Sequence, residues 1–417
     1  MQMKIIRLIS FAVIIMMAKP IIAQQGFVNY GSQVIIESGA YVNVYDFTDN
    51  TASSIDGIVD IDGYLKVKGD FTNNSNGNVF TNIETIPDGN IILDGTTQSI
   101  QGTGAPIFFE NLQIINSTKT LNIDNCEVKG ILTNDAILDL NQNRLIIDNM
   151  DPIGITYVSG YILSETLPPD LGEIEWRIGD ATATYAVPFG TGDTTINDLN
   201  LVLQTKTTAS PSTGSVVFAT YPTDGSNTPY PSGVTSLDGK DPIDLSDRYW
   251  EIGPNYASKP DISIIFKYTQ PDVDHTDNPG LIEVNLKAIR HNPNSNTPWL
   301  DMNPTGLCNV ANKTVTADIS NTNFYTYWTL NEYILKIPNA FTPDDDGIND
   351  VFLKGYKIKI VNRWGQLLYE GDDGWDGSLN NGKKASPGTY YYIATIPDSD
   401  NGTKDVTGVI TLVNNSN

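Results

Sequence analysis

Oxygen-bearing side chains crowd one short stretch near the C-terminus, where Asp344, Asp346, Asn349 and Asp350 surround Gly347. A hard cation such as calcium takes roughly six to eight oxygen ligands, so carboxylates and amides on a glycine turn could hold one. The loop is not an EF-hand. With Gly347 as the turn glycine, the first ligand would be Thr342 and the closing bidentate acid Leu353. The same residue types also fold tight turns without an ion, because Asn and Asp cap their own backbone. Calcium at Asp344, Asp346, Asn349 and Asp350 is therefore an expectation set beside a metal-free turn. A second acidic group, Asp272, Asp274 and Asp277 beside His275, reads as a solvated loop.

Other reactive chemistry is scarce. Two Cys and two His cannot build a Cys/His zinc cage, which needs about four such ligands. Cys126 and Cys308 fall in different modules and read as lone thiols. The sequence holds no Gly-x-Ser-x-Gly, no Gly-Lys-Ser/Thr after a glycine loop and no His-Glu-x-x-His, so no catalytic residue is assigned and the chain is not expected to be an enzyme. Lys and Arg number 25 against 49 Asp and Glu, a net charge of -24 that repels phosphate backbones and anionic membranes alike. Nucleic acid is not an expected partner.

The elements that must position these residues begin after an address. Lys4 and Arg7 form a basic start, Leu8 to Ala18 is almost wholly apolar, and Ala23 precedes Gln24 at a plausible cleavage point, so 1–23 reads as a secretory signal. Lys19-Pro20 interrupts the apolar run before it reaches the ~20 residues that span a bilayer. Without Lys4, Arg7 and Lys19 the net charge moves from -24 to -27, and no later stretch approaches a membrane span. A soluble, acidic, exported product is expected.

Three all-β modules follow. From 24 to 154 the apolar residues come in brief alternating clusters, such as Val42-Asn43-Val44, Leu65-Lys66-Val67, Leu112-Gln113-Ile114 and Leu145-Ile146-Ile147, with Gly, Asn, Asp, Ser and Thr between them. Val42 to Leu65 spans 23 residues, and Ile114 to Leu138 and Leu121 to Leu145 span 24 each, the size of one coil of a three-sided solenoid. The pattern predicts a right-handed parallel β-helix, with an antiparallel sandwich as the alternative. From 155 to 333 longer alternating runs such as Ile174 to Ile178 and Ile262 to Tyr268 predict antiparallel sandwich strands, in one or two sub-domains around the proline-rich run Tyr221 to Asp247. From 334 to 417 four alternating runs predict a small β-sandwich, with Trp364 and Trp375 supplying much of its core.

Particular stretches resemble known families. Gly89 to Asn116 and Leu138 to Asp148 look like the β-solenoid stretches of large Bacteroidetes surface proteins, and Tyr185 to Asp193 with Asp247 to Ile252 resembles a β-sandwich region that often follows them. The last module resembles, block by block, the gliding-motility-associated C-terminal domain, the type B sorting module of the type IX secretion system. The blocks are Phe341, Thr342, Pro343, Asp344, Asp346, Gly347, Asn349 and Asp350, then Asn362, Arg363, Trp364 and Gly365, then Trp375, Asp376 and Gly377, then Pro387, Gly388 and Tyr390. Two departures stand out: Asp344-Asp345-Asp346-Gly347 replaces the usual Asn-Gly-Asp-Gly, and the stretch from Phe352 to Ile360 is short. The resemblance implies a passenger that crosses the inner membrane by its signal, then the outer membrane through type IX machinery that recognises this module.

The expected function is a secreted or outer-surface structural or adhesin-like protein, with glycans or other surface proteins as partners of its repetitive faces. One alternative is a carbohydrate-binding module that stacks sugars on Tyr221, Tyr230, Tyr249 or Trp299. A β-helix polysaccharide lyase would need a Lys or Arg base. Lys66, Lys68, Lys119, Lys129 and Arg144 mostly alternate with apolar positions and are expected to face water.

Overall fold

The computed structural model describes residues 12–15, 21–22, 26–50, 57–77, 80, 88–192, 198–237, 240–274, 281–295, 299, 305–333, 337–344, 347, 349–397 and 403–413. His275, Asp277 and Asp346 lie outside this set, as does most of 1–23. The described residues form strands joined by turns and short 3-10 segments, and they fall into two compact units, 1–332 and 333–417.

The first unit opens as a three-sided parallel β-solenoid of about six coils. One face stacks Tyr41–Val44, Tyr64–Val67, Asn90–Leu93, Asn111–Ile114, Leu132–Asn134 and Ile155–Tyr157. A second runs from Phe27–Tyr30 to Phe189–Gly190 through eight strands. The third carries Gln33–Ile36 and Ile58–Ile61, then Phe108–Phe109, Cys126–Val128, Arg144–Ile147 and Glu173–Trp176. Ala12–Ile15 and Ile21–Ile22 pair in parallel with Gln33–Ile36 and Tyr41–Val44, ahead of the first full coil. Alternation explains the strands: in Tyr41–Val44 and Tyr64–Val67 every second residue is buried, so each coil contributes a row of apolar side chains to one central column. Phe27, Phe47 and Phe71 stack along that column with ring centroids 5.5 and 4.7 Å apart.

The coils are uneven. Val42 does pair with Leu65, as its 23-residue spacing predicts. The other two predicted pairs do not form: Ile114 lies beside Asn134, Leu138 beside Lys119, and Leu145 beside Cys126. Corner loops of different lengths shift each face separately, and a single period misses this. Cys126 is wholly buried in the column, and burial raises its pKa, whereas Cys308 is half-buried with its Sγ 3.4 Å from the Tyr268 hydroxyl; both are free thiols.

The solenoid runs straight into a sandwich. Glu173–Trp176 is the last parallel strand of the third face and pairs antiparallel with Ser215–Pro222 on its other edge, so that face continues through Arg248–Asn255, Tyr327–Glu332 and Leu286–Arg290. A five-stranded sheet containing Thr184–Val187, Leu201–Thr205, Ile262–Lys267 and Thr314–Ile319 packs against it, and solenoid and sandwich share one hydrophobic core.

A buried arginine ties this junction together. Arg248 is 2% exposed; its Nη2 meets Glu165 at 2.8 Å, its Nε meets Asp272 at 3.0 Å and its Nη1 meets the Thr220 hydroxyl at 3.3 Å. Asp272 also accepts from the Thr269 amide and hydroxyl, so it is a buried anchor and not part of a solvated acidic loop. The reason is long-range: Arg248 arrives from another strand and supplies the compensating charge. Tyr221, Tyr249 and Trp299 are not sugar platforms either. All three are at most 1% exposed, in a cluster that Val234, Leu237 and Leu245 of the proline-rich loop cover, with Tyr230 packed half-buried against it.

The second unit is one five-stranded sheet in the order Ala340–Phe341, Thr403–Leu412, Gly388–Pro397, Lys357–Val361, Leu367–Gly371. Its core lies on one face, where Ile358, Ile360, Ala394, Ile410 and Leu412 meet Phe352 and Trp375 from two covering loops. Those loops bridge each other, the Phe352 and Trp375 amides each donating to the other's carbonyl at 2.8 Å.

Candidate functional site

The C-terminal unit gathers the sequence blocks singled out above. Phe341 leaves the sheet edge into the core, with its ring 5.2 Å from Trp375 and 6.0 Å from Phe352. Trp375 is wholly buried, stacks edge-on against Tyr390 at 5.1 Å and donates its indole N–H to the Ser378 carbonyl at 2.8 Å. The next residues close this turn: Asp376 accepts from the Ser378 amide and hydroxyl at 2.8 and 3.0 Å. Gly377 has φ +80, and a Cβ there would lie 3.0 Å from Leu412 and 3.1 Å from Pro343, so only glycine lets the loops meet. Pro387 is exposed and leads into Gly388 at the start of a ten-residue strand, while the Tyr390 hydroxyl donates to the Ser386 carbonyl at 2.6 Å.

The acidic loop folds around its own carboxylate. Asp350 accepts from the Asp344 amide through Oδ1 at 3.0 Å and from the Gly347 amide through Oδ2 at 2.7 Å. Thr342 donates its amide to the carbonyl of Asn349, which sits at φ +57. Both oxygens of Asp350 therefore act as a backbone clasp, an arrangement that orders the turn without an ion. Among the described residues no group of three or more His, Cys, Asp or Glu stands close enough to hold a metal. Asp346 lies outside those residues.

The second block forms a hairpin tip. The Asn362 side chain accepts from the Trp364 and Gln366 amides at 3.0 Å each, and Gly365, at φ +76, donates to the Asn362 carbonyl at 2.9 Å. This fixes the tip and presents its two central residues outward. Trp364 is 76% exposed, so the expectation that it fills the core is wrong; the core takes Trp375 and the hairpin carries Trp364 away from it. The Arg363 guanidinium lies over the Trp364 ring, 4.4 Å from its centroid.

Sequence reasoning missed the outer face of this sheet. Leu367, Val361, Tyr391 and Val409 are register partners on four adjacent strands and lie opposite the core. Leu367, Tyr391 and Val409 are each more than 40% exposed. The signal was available in the alternation, since Val361 and Tyr391 are flanked by the core residues Ile360 and Tyr392.

Elsewhere, three of the five basic residues weighed as lyase bases are engaged structurally, while Lys68 and Lys129 are exposed as expected. Lys119 is wholly buried, contrary to the expectation that it faces water. Arg144 pairs with Glu173 and Glu175, and Lys66 with Asp94.

Residues 335–412 match the CHU_C Type IX secretion signal domain. No curated protein matches the chain.

Proposed function

We propose that this chain is a structural or adhesin-like protein of the outer cell surface, delivered there by the type IX secretion machinery. Its type IX signal domain at 335–412 implies export and contact with that machinery, and this match is the observation that carries the reading. No helix among the described residues is long and apolar enough to cross a membrane. In this reading 1–23 is removed after directing the chain across the inner membrane.

The body supplies reach and repeated surface. Each solenoid coil sets a row of polar side chains on the outside at strand spacing, about 4.8 Å, so weak contacts with a long partner can add along the stack. No catalytic role is assigned to it. Two of the five candidate bases support that position: Lys119 holds backbone carbonyls and Arg144 neutralises two glutamates, so neither is poised to take a proton from a substrate.

One observation favours a carbohydrate-binding variant of this function. Tyr30, Tyr45 and Tyr64 are 64, 53 and 40% exposed on the first coils, and Tyr64 stacks on Tyr41 at 5.3 Å. Such rings can take the apolar face of a sugar. A glycan array probed with purified 24–332, with calcium and again with EDTA, separates the readings. Saturable binding that Tyr45→Ala or Tyr64→Ala abolishes makes the protein a lectin-like adhesin, and loss in EDTA would add calcium. A blank array leaves protein-partnered or structural display.

A further inference from the structure

Most residues of the C-terminal blocks have a reason inside the fold. Phe341, Trp375 and Tyr390 build the core, Gly377 permits a close approach, and Asp350 and Asp376 clasp turns. Trp364 and Arg363 do not. A tryptophan that is 76% exposed buries nothing for its own domain, and among the described residues Arg363 pairs with no carboxylate. The hairpin nevertheless holds them in place with a left-handed glycine and three hydrogen bonds of the Asn362 side chain, which accepts from the Trp364 and Gln366 amides and donates to the Gln366 side chain.

The tip is continuous with the apolar row on the outer face. Leu367 follows it by two residues, and Val361, Tyr391 and Val409 extend the row strand by strand. Exposed apolar side chains that are contiguous and rimmed by polar groups mark interaction surfaces. The rim is polar and mixed in charge: Lys359 pairs with Glu370 at 3.3 Å, and the exposed Lys357 shares its cross-strand row with Thr395 and Asp405.

We propose that Trp364, with Arg363 stacked on it, and the row Leu367, Val361, Tyr391 and Val409 form the face by which the export machinery reads this domain. The occupant is a folded protein receptor with an apolar slot for the indole and a carboxylate beside the slot for Arg363. A preorganised Trp and Arg are the side chains that most often anchor protein interfaces, because they bury large area at little entropic cost. The inference rests on the export reading above.

The test follows surface delivery of the full chain in the producing cells, by protease accessibility of intact cells and by fractionation. Three variants are compared: a chain ending at Glu332, the double variant Trp364→Ala/Tyr391→Ala, and Lys383→Ala, an exposed change elsewhere in the domain. The double variant should keep the melting profile of the purified chain while its surface level falls roughly tenfold or more, as truncated interface anchors do. Trp364→Phe should restore delivery in part, and Lys383→Ala should leave it unchanged. Normal delivery of a folded double variant, with the truncated chain retained, overturns the proposal and leaves the export reading standing. Normal delivery of the truncated chain overturns both. A purified dimer that dissociates in the double variant would assign the face to a second copy and also overturn it.

Discussion

Gln98 and Lys119 are register partners on successive coils, and both turn inward to hold backbone carbonyls at one corner of the solenoid. Gln98 Nε2 donates to the carbonyls of Val67, at 3.0 Å, and Gly69. Lys119 Nζ donates to Gly95, Ile115 and Ser117 at 2.9, 2.8 and 2.7 Å, which uses all three of its protons. The Val67 and Ile115 carbonyls also accept from the Asp94 and Ser117 amides, so the two side chains matter most at Gly69, Gly95 and Ser117. Lys119→Met keeps the stem and removes the donors. Each unsatisfied buried group costs about 1–3 kcal/mol, so the variant should lose at least that much in denaturant unfolding. Wild-type stability would show that water replaces the ammonium.

Arg248 gives a second stability prediction. Removing one partner of a buried ion network leaves uncompensated charge, and Arg248→Ala strands Glu165 and Asp272 together. The expected loss is about 3–5 kcal/mol, read as a shift of the urea midpoint of the first unit. A shift under about 1 kcal/mol, the scale of a surface pair, would contradict the buried assignment.

Glu251 ties stability to pH. It lies in one row with Glu173, Ala219 and Tyr327 on the outer face of the long sheet. Burial, then the Glu173 charge, push its pKa up to about 7, with Arg144 opposing. The folded state thus keeps a proton that the unfolded chain, near 4.5, releases. Its stabilising contribution is fully present below about pH 4.5 and is lost as pH rises through about 7. Glu251→Gln should flatten that decline and raise the melting temperature at pH 8. Parallel pH profiles for the two proteins would sink the assignment.

The two tryptophans of the C-terminal domain should behave oppositely. Trp375→Ala empties the domain core and should cost about 3–5 kcal/mol. Trp364→Ala removes an exposed ring and should change stability by no more than about 0.5 kcal/mol. Calorimetry of the full chain, read on the transition of the second unit, checks both. Equal losses would mean that Trp364 is a structural residue after all.

The sequence was most legible where information is local. Alternation marked the solenoid strands, and Val42 and Leu65 were correctly paired. Pairing Ile114 with Leu138 failed because corner length, which no side chain announces, decides which face a residue reaches. Lys119 stands two residues before Leu121 on one strand, so alternation itself turns it inward beside Leu121; its charge is what argued for water. Tyr221, Tyr249 and Trp299 were misread for a different reason: their cover comes from the proline-rich loop, and only the folded chain brings it over them. Arg248 and Asp272 meet across 24 residues, beyond any local pattern. The C-terminal blocks were recognisable as contiguous motifs, but contiguity did not separate Trp375, which builds the domain, from Trp364, which is presented by it.

Export rests on the C-terminal domain matched at 335–412. The most direct measurement is fractionation of producing cells that make either the full chain or one ending at Glu332, with external protease added to intact cells. The full chain should be degraded from outside and the truncated chain should be folded, protected and periplasmic. A truncated chain that is as accessible to external protease as the full one would contradict the account.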